Sequence, residues 1–304
     1  ARKHKEKGKH IITTKVEHQA VLQSLRQLEK EGFEITYLEV DANGQIDVNN
    51  LKKSLRTDTI LVSIMYANNE IGTIFPLADI GREILKYRKQ NNTLYPIFHT
   101  DACQAGGYLD LNVEKLHVDL LSLNGSKIYG PKGSGVLFKR RGVEIEPIMY
   151  GGMQESGLRP GTENVAGIIG LAYALELAQD KKEKNNQKLF EMRNYFWKKI
   201  QENINDVVLV GEELKMEKRL PNNLNVIFNG VDVESLILYL DHYGIMCASG
   251  SACTTESKGS SHGQGSVRFT LGKQITKTDI NYVLKYLMPV VEELRRVIKM
   301  NQES

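Results

Sequence analysis

Short apolar runs alternate with helix-like segments along the first half of this 304-residue chain. Runs rich in β-branched and apolar residues at 10–16, 33–40 and 60–65 predict strands. The segments 19–32 and 77–89 have the spacing of amphipathic helices. Strands that alternate with helices form mostly parallel sheets with helices on both faces. The pattern therefore predicts an α/β protein.

The second half of the chain has a different pattern. A long helical stretch begins at Glu163, is interrupted by a charged run near 180–186, and then resumes. Shorter strand and helix patterns follow it. We expect a large α/β domain at 1–178 and a smaller α+β C-terminal domain at 179–304.

Net charge and hydropathy give no indication of a nucleic-acid or membrane partner. A formal net charge of +3 is too small to indicate nucleic acid or a membrane surface. The longest uncharged apolar stretch, 165–175, is shorter than the ~18 residues that a membrane span needs. The three cysteines have neither zinc-site nor disulfide-framework spacing. We therefore expect a protein without a metal site that resides in the reducing cytoplasm.

The opening residues are strongly basic and end at Gly8. Basic side chains favour the last turn of a helix, and glycine favours its end. We therefore expect a helix that began before residue 1, and a chain that lacks its N-terminal segment.

Lys127 follows the buried strand-like run 118–123, inside the segment Ser122–Gly133, whose glycines and proline end regular structure. Open α/β sheets carry their chemistry at strand ends, and a lysine there is a candidate for Schiff-base formation. The alternative is a solvated loop lysine, as Lys132 is expected to be.

Asp101 ends another predicted strand, 26 residues before Lys127. That spacing suits one strand-helix-strand step, which brings both side chains to the same edge of the sheet. A carboxylate there can hold a protonated pyridine nitrogen, as enzymes that use pyridoxal 5'-phosphate (PLP) require. A helix N-cap or a surface aspartate is the favoured alternative for Asp101 alone, but together the two residues favour the cofactor site.

Four further positions are candidates, each with a structural alternative. His18 follows the first strand and can move protons over a flat ring, or is structural. The segment Asn68–Gly72 offers amide donors, or forms a turn. Thr162 ends a glycine-rich loop as a phosphate ligand or a helix N-cap. Arg268 can clamp a substrate carboxylate, or is a surface residue.

Cys253 lies in a segment rich in glycine and serine, which predicts an exposed loop. A thiol there is accessible as a nucleophile. Cys247 has apolar neighbours and is expected in the core, whereas the role of Cys103, beside Asp101, stays open.

Taken in order, six motifs resemble those of the cysteine desulfurases of the iron-sulfur assembly type, which are class-V aminotransferase-like PLP enzymes of fold type I. The motifs lie at 16–18, 68–72, 99–104, 126–133, 159–162 and 249–253. The resemblance implies a mostly parallel, seven-stranded-type sheet flanked by helices, N-terminally incomplete here, and a smaller C-terminal domain that carries the cysteine loop.

The resemblance also implies which residues bind the cofactor. Lys127 would be the Schiff-base lysine, Asp101 the partner of the pyridine nitrogen, and His18 the ring-stacking proton shuttle. Gln104 and Asn69 would bond the phenolic oxygen, with Asn69 also near the substrate.

The same resemblance assigns the remaining positions. Asn124 and Ser126 stand where the family commonly has serine and histidine on the cofactor phosphate, and both can still donate hydrogen bonds. Thr162 would reach the phosphate of the other subunit. Arg268 would bind the carboxylate of the substrate, and Cys253 would attack its sulfur.

The implied reaction converts L-cysteine to L-alanine and an enzyme persulfide, for iron-sulfur cluster assembly or tRNA thiolation. The implied partners are a second copy of the chain and an iron-sulfur scaffold or another sulfur-acceptor protein. Two rival functions remain. A selenocysteine lyase or another PLP-dependent lyase or aminotransferase would keep Lys127 and Asp101 without needing Cys253. An inactive truncated remnant would only bind sulfur acceptors.

Overall fold

The structure, a computed structural model, describes residues 1–250 and 265–303. The chain divides into two compact units. Unit 1 comprises Ala1–Val40, Ile46–Tyr66 and Phe75–Lys182, and unit 2 comprises Asp41–Gln45, Ala67–Ile74 and the described part of Glu183–Ser304. Two short segments of the first half of the chain therefore belong to unit 2.

The sheet of unit 1 is built from short strands that the β-branched runs predicted. These are β1 (His10–Thr14), β2 (Glu34–Leu38), β3 (Thr59–Ser63), β4 (Ile97–Asp101), β5 (Leu120–Asn124) and β6 (Gly135–Lys139). Their order is β2-β1-β3-β4-β5-β6. The first five strands are parallel, and β6 pairs antiparallel with β5. The mostly parallel sheet is confirmed, with six strands in the described residues where the resemblance implies a seven-stranded type.

The helices of unit 1 begin mostly where a side chain can accept from free backbone N–H groups. Asp47, Asn112 and Asn164 cap three of them in this way, and each such cap contributes ~1 kcal/mol. The helices are α1 (Gln19–Lys30), α2 (Val48–Ser54), α3 (Leu77–Gln90), α4 (Val113–Leu116) and α5 (Val165–Asp180).

One apolar face of α1 packs on the sheet. Leu25 from α1 clusters with Ile11 of β1, Ile60 of β3 and Phe33, and all four are buried. Burial of each such side chain contributes roughly 1.5–3 kcal/mol. This packing holds the connection between β1 and α1, which carries His18, close to the sheet.

Unit 2 is an α+β fold around an antiparallel sheet. Its strands are β7 (Val207–Leu209), β8 (Asn223–Phe228), β9 (Ala248–Ser249) and β10 (Val267–Thr270), in the order β7-β8-β10-β9. Its helices are α6 (Lys182–Asn203), α7 (Val233–His242) and α8 (Lys277–Glu303). Phe196 of α6 meets Phe269 of β10 edge to face, with ring centroids 5.1 Å apart. The central strand β8 is buried along its whole length.

The long helical stretch after Glu163 divides at Lys181, which is the C-cap of α5. α6 starts at the next residue, so the helix is interrupted as predicted, but only at one residue: 182–186, expected within the interruption, is helical. No helix within the described ranges is long and apolar enough to cross a membrane.

Candidate active site

The carboxyl ends of β4 and β5 bring two of the predicted residues to one edge of the sheet in unit 1. Asp101, the last residue of β4, lies opposite Ser122 in the parallel pairing of the two strands. β5 ends two residues later at Asn124, and Lys127 follows in a 3-10 turn, Gly125–Ile128. The predicted placement of both residues after neighbouring strands is therefore confirmed.

The 3-10 turn that carries Lys127 is shaped by its neighbours. Asn124 Oδ1 accepts from Ser126 N at 2.9 Å and from Ser126 Oγ at 2.8 Å. A Cβ on Gly125 would lie 2.3 Å from Ser134 Oγ and 3.0 Å from the Pro131 carbonyl, so any larger residue here would displace Ser134. Lys127 itself is exposed, and its amine makes no hydrogen bond or ion pair with the residues that the structure describes. It is placed to meet a ligand.

The carboxylate of Asp101 is held by the turn that follows it. Its Oδ1 accepts a hydrogen bond from Cys103 N at 2.9 Å. Gln104, in the same turn, is half-buried. Asp101 begins no helix, so its alternative interpretation as a helix N-cap is wrong.

His18 is exposed and caps α1. Its Nδ1 accepts from Ala20 N at 3.1 Å. A neutral ring that accepts through Nδ1 carries its proton on Nε2. The capping bond therefore fixes the plane of the ring and leaves Nε2–H free to act on a ligand. His18 belongs to the same unit as Asp101 and Lys127.

The two cysteines in the described residues are poor nucleophiles. Burial, together with the neighbouring Asp101 carboxylate, raises the pKa of the Cys103 thiol to about 12. Burial raises the pKa of the Cys247 thiol to about 11. Cys247 is half-buried rather than deep in the core, as its apolar neighbours had suggested. Cys253 lies outside the described residues.

Thr162 is exposed and lies three residues before Val165, the first residue of α5. The helix is capped by Asn164 instead, whose Oδ1 accepts from Gly167 N at 3.0 Å. The interpretation of Thr162 as the N-cap is therefore wrong. The other interpretation, a phosphate ligand, stays a prediction.

The predicted substrate-binding residues Asn69 and Arg268 both belong to unit 2. Arg268, on β10, donates from Nη1 to the backbone carbonyl of Asn69 at 3.0 Å. Asn68 Oδ1 accepts from the backbone N–H groups of Glu70 and Ile71 at 2.8 and 3.0 Å. Asn68 thus shapes the turn, which was its structural alternative.

A buried polar cluster holds this turn. Asn223 and Asn225, both on β8, donate through Nδ2 to the carbonyl of Glu70 at 3.0 Å. Arg219 Nη2 in turn donates to Asn223 Oδ1 at 2.8 Å. The turn that carries Asn69 therefore has a fixed backbone.

The sequence interpretation assigned no role to two polar residues near the edge of the sheet. His99, on β4, lies between Ser63 Oγ at 2.8 Å and Ser122 Oγ at 3.0 Å. Burial lowers the pKa of His99 to about 4, so the ring is neutral. Glu17 is buried beside His18. No local pattern identifies either residue, because Glu17 bonds to Met65 and His99 lies between Ser63 and Ser122, all far away in sequence.

Comparison with known proteins decides the family. Residues 1–283 match the family model described as Aminotransferase class-V. A protein of Dictyoglomus turgidum named Cysteine desulfurase IscS is 48% identical over 308 residues, which cover 98% of this chain and 76% of that protein. The chain belongs to the cysteine desulfurase branch of the class-V aminotransferases. A Clostridium botulinum protein of the same name is 44% identical over 304 residues, which cover 96% of the chain and 75% of that protein.

Solved structures agree with membership of the cysteine desulfurases. One described as a NifS-like protein superposes with a TM-score of 0.88 at 34% identity, covering 97% of this chain and 78% of that one. A NifS-like protein from Rickettsia africae gives a TM-score of 0.83 at 27% identity, over 94% and 76% of the two chains. These likenesses confirm fold type I, and cysteine desulfurases of this family depend on PLP.

Proposed function

We propose that this chain is a PLP-dependent cysteine desulfurase, which takes the sulfur of L-cysteine, releases L-alanine and carries the sulfur as a persulfide on Cys253. The observation that carries the proposal is the 48% identity to a cysteine desulfurase across 98% of the chain. The positions of Asp101 and Lys127 at one edge of the sheet support it.

The donor set at that edge fits the cofactor. The Asp101 carboxylate, oriented by Cys103 N, would hold the proton on the pyridine nitrogen. The exposed Lys127 amine would hold the cofactor covalently. Asn124 and Ser126 would bind its phosphate, with Thr162 reaching the phosphate bound to the other subunit. Bound PLP supplies an electron sink for bond changes in the amino acid.

Four further residues would act on the ring and on the substrate. Gln104 would donate to the phenolic oxygen of the ring. Arg268 would pair with the substrate carboxylate through its planar fork, which a carboxylate matches with two parallel hydrogen bonds. Asn69 would lie beside the amino acid. His18 would move a proton through Nε2, because its Nδ1 is already engaged by Ala20 N.

Cys253 is the proposed nucleophile of the sulfur transfer. The Cys253 thiolate attacks the sulfur of L-cysteine, an S–S bond forms, and the C–S bond of the substrate breaks. The electron pair of that bond stays with the substrate carbon, which takes up a proton and becomes part of L-alanine. The high thiol pKa values of Cys103 and Cys247 support Cys253 as the carrier.

The proposed enzyme would act in the cytoplasm as a homodimer and pass its sulfur to an acceptor protein. An iron-sulfur scaffold or another acceptor protein would collect the sulfur in the cytoplasm. A homodimer is supported by α5, on which apolar side chains at helical spacing remain exposed. These are Val165, Ile168, Ile169 and Tyr173. Exposed apolar faces of this kind mark protein interfaces.

Cofactor binding is tested by titrating the purified protein with PLP and recording its visible absorption. We expect a band that Lys127→Ala abolishes and Lys132→Ala, a loop control, keeps. A folded wild-type protein without the band would contradict the PLP assignment and favour the remnant that only binds sulfur acceptors.

Sulfur chemistry is tested with L-cysteine by measuring alanine and protein persulfide. Cys253→Ala should abolish the persulfide, and Cys247→Ala should keep it. Sulfur release that survives in Cys253→Ala would favour a lyase without a cysteine nucleophile, such as a selenocysteine lyase.

A further inference from the structure

Glu17 is a buried acidic residue for which the proposed reaction has no role. It lies between β1 and α1, directly before His18, and its exposed fraction is 4%. Oε1 accepts two hydrogen bonds, from Thr14 Oγ1 and from Met65 N, each at 2.9 Å. Oε2 is buried without a partner among the described residues.

The two bonds of Glu17 join the ends of neighbouring strands. Thr14 is the last residue of β1, and Met65 lies just beyond β3, its parallel neighbour. The segment after β3 is bonded onward, since Tyr66 N donates to the Asp101 carbonyl at 2.9 Å. A continuous path of contacts therefore runs from His18 through Glu17 to Asp101, entirely within unit 1.

The surroundings of Glu17 disfavour a charge on it. Its own segment contributes the Thr14 hydroxyl, the segment after β3 contributes the backbone N–H of Met65, and β4 contributes the Asp101 carboxylate. The pKa of Glu17 is raised to about 8: burial is the largest cause, the two hydrogen bonds oppose the rise, and the Asp101 carboxylate adds to it. An ionised Glu17 would leave Oε2 as a buried, unpaired charge beside a second carboxylate.

We propose that Glu17 is a positioning residue of the active site, which acts as an uncharged carboxylic acid and holds the His18 segment against the segment after β3, which is itself bonded to Asp101. It acts through His18 and touches neither substrate nor cofactor. The inference rests on the proposed function, because it concerns the same site.

A set of three variants separates hydrogen bonding from charge. Glu17→Gln keeps an oxygen that can accept from Met65 N and Thr14 Oγ1. Its amide is uncharged, as the carboxylic acid is proposed to be, so the substitution leaves the charge at this position unchanged. Glu17→Ala removes both bonds. Glu39→Gln is the matched control. Glu39 is exposed and pairs with Lys15, which lies in the connection between β1 and α1 that also carries Glu17.

We expect Glu17→Gln and Glu39→Gln to keep the wild-type PLP spectrum and turnover. Glu17→Ala should change the spectrum and lower kcat by up to ~10²-fold with little change in KM, because a misplaced His18 affects proton movement more than binding. Equal behaviour of Glu17→Ala and wild type, or equal losses in Glu17→Gln and Glu17→Ala, would overturn the inference while the proposed function stands.

A measurement without cofactor tests the protonation of Glu17 separately. An acid whose pKa is higher in the folded protein loses its stabilising effect as pH rises from the unfolded to the folded pKa. The urea midpoint of apoprotein should therefore fall, relative to that of Glu17→Gln, between about pH 5 and about pH 8. A constant difference would overturn the inference. Wild type with this pH dependence but no PLP band would contradict the proposed function alone.

Discussion

Arg268 Nη1 donates to the backbone carbonyl of Asn69 at 3.0 Å, across 199 residues of sequence. The carbonyl lies in a turn whose backbone is held by Asn223 and Asn225. One donor of the guanidinium fork is thus engaged by a fixed acceptor, which orients the plane of the remaining donors. An oriented fork loses less conformational entropy when it binds a carboxylate.

Arg268→Lys keeps the charge but removes the fork, so it tests this orientation. A hydrogen bond to a charged group contributes about 1.5–3 kcal/mol, which predicts a KM for L-cysteine that is roughly 10–150-fold higher. The value of kcat should change little, because the carboxylate is bound in both ground and transition states. Steady-state alanine formation measures both constants. Arg296→Lys, an exposed arginine on α8, is the control, and an unchanged KM in Arg268→Lys would contradict a role in substrate binding.

A buried ion pair supports the strand that ends at Asp101. Asp119, just before β5, is 5% exposed, pairs with Arg88 of α3, and accepts from Phe98 N on β4 at 2.8 Å. Removal of one partner leaves the other charge buried and unpaired, which costs roughly 3–5 kcal/mol. Asp119→Ala should therefore lower the free energy of unfolding by about that amount in urea titrations.

The matched control is an exposed ion pair on α3. Asp79 pairs with Arg82 and both side chains are more than half exposed, at 55% and 56%. Such pairs contribute ~0–1 kcal/mol, so Asp79→Ala should change stability little. Similar losses of stability in Asp79→Ala and Asp119→Ala would show that the ion pair of Asp119 with Arg88 stabilises the fold no more than an exposed pair does.

His99 predicts a dependence of stability on pH. Its ring lies between Ser63 and Ser122, and burial lowers its pKa from 6.5 to about 4. Below pH 6.5 the unfolded chain takes up a proton that folded His99 does not, so its contribution is complete above 6.5 and is lost as pH falls towards 4. The full effect is about 3 kcal/mol.

The measurement compares wild type with His99→Gln, in which the amide can still bond both serines but does not titrate in this range. Urea unfolding at about pH 7 and about pH 5 should show a larger loss for wild type. Parallel losses in the two proteins would mean that His99 is solvated or charged in the fold.

The sequence was sufficient for features that are local or depend on regular spacing. Strand and helix patterns identified the α/β class, and the 26-residue spacing correctly put Asp101 and Lys127 at the ends of adjacent parallel strands. Such predictions succeed because strand length, helix length and crossover geometry are set by local backbone preferences.

Residues whose partners lie far away in sequence were not predictable. Glu17 is defined by the N–H of Met65, 48 residues later, and His99 by serines on two neighbouring strands. The cap of α5 was assigned to Thr162 as one alternative, but Asn164 makes the bond, since both residue types cap helices and only backbone geometry chooses between them.

The exposed face of α5 gives a prediction for the homodimer. Ile169 and Tyr173 lie one helical turn apart and are 63% and 61% exposed. A charge placed there would be desolvated in an interface, so Ile169→Glu should convert a dimer to monomer in sedimentation or light-scattering measurements. Leu85→Glu, an exposed apolar position on α3, is the control and should leave the dimer intact. A dimer that persists in Ile169→Glu, or a monomeric wild type, would show that α5 does not form the interface.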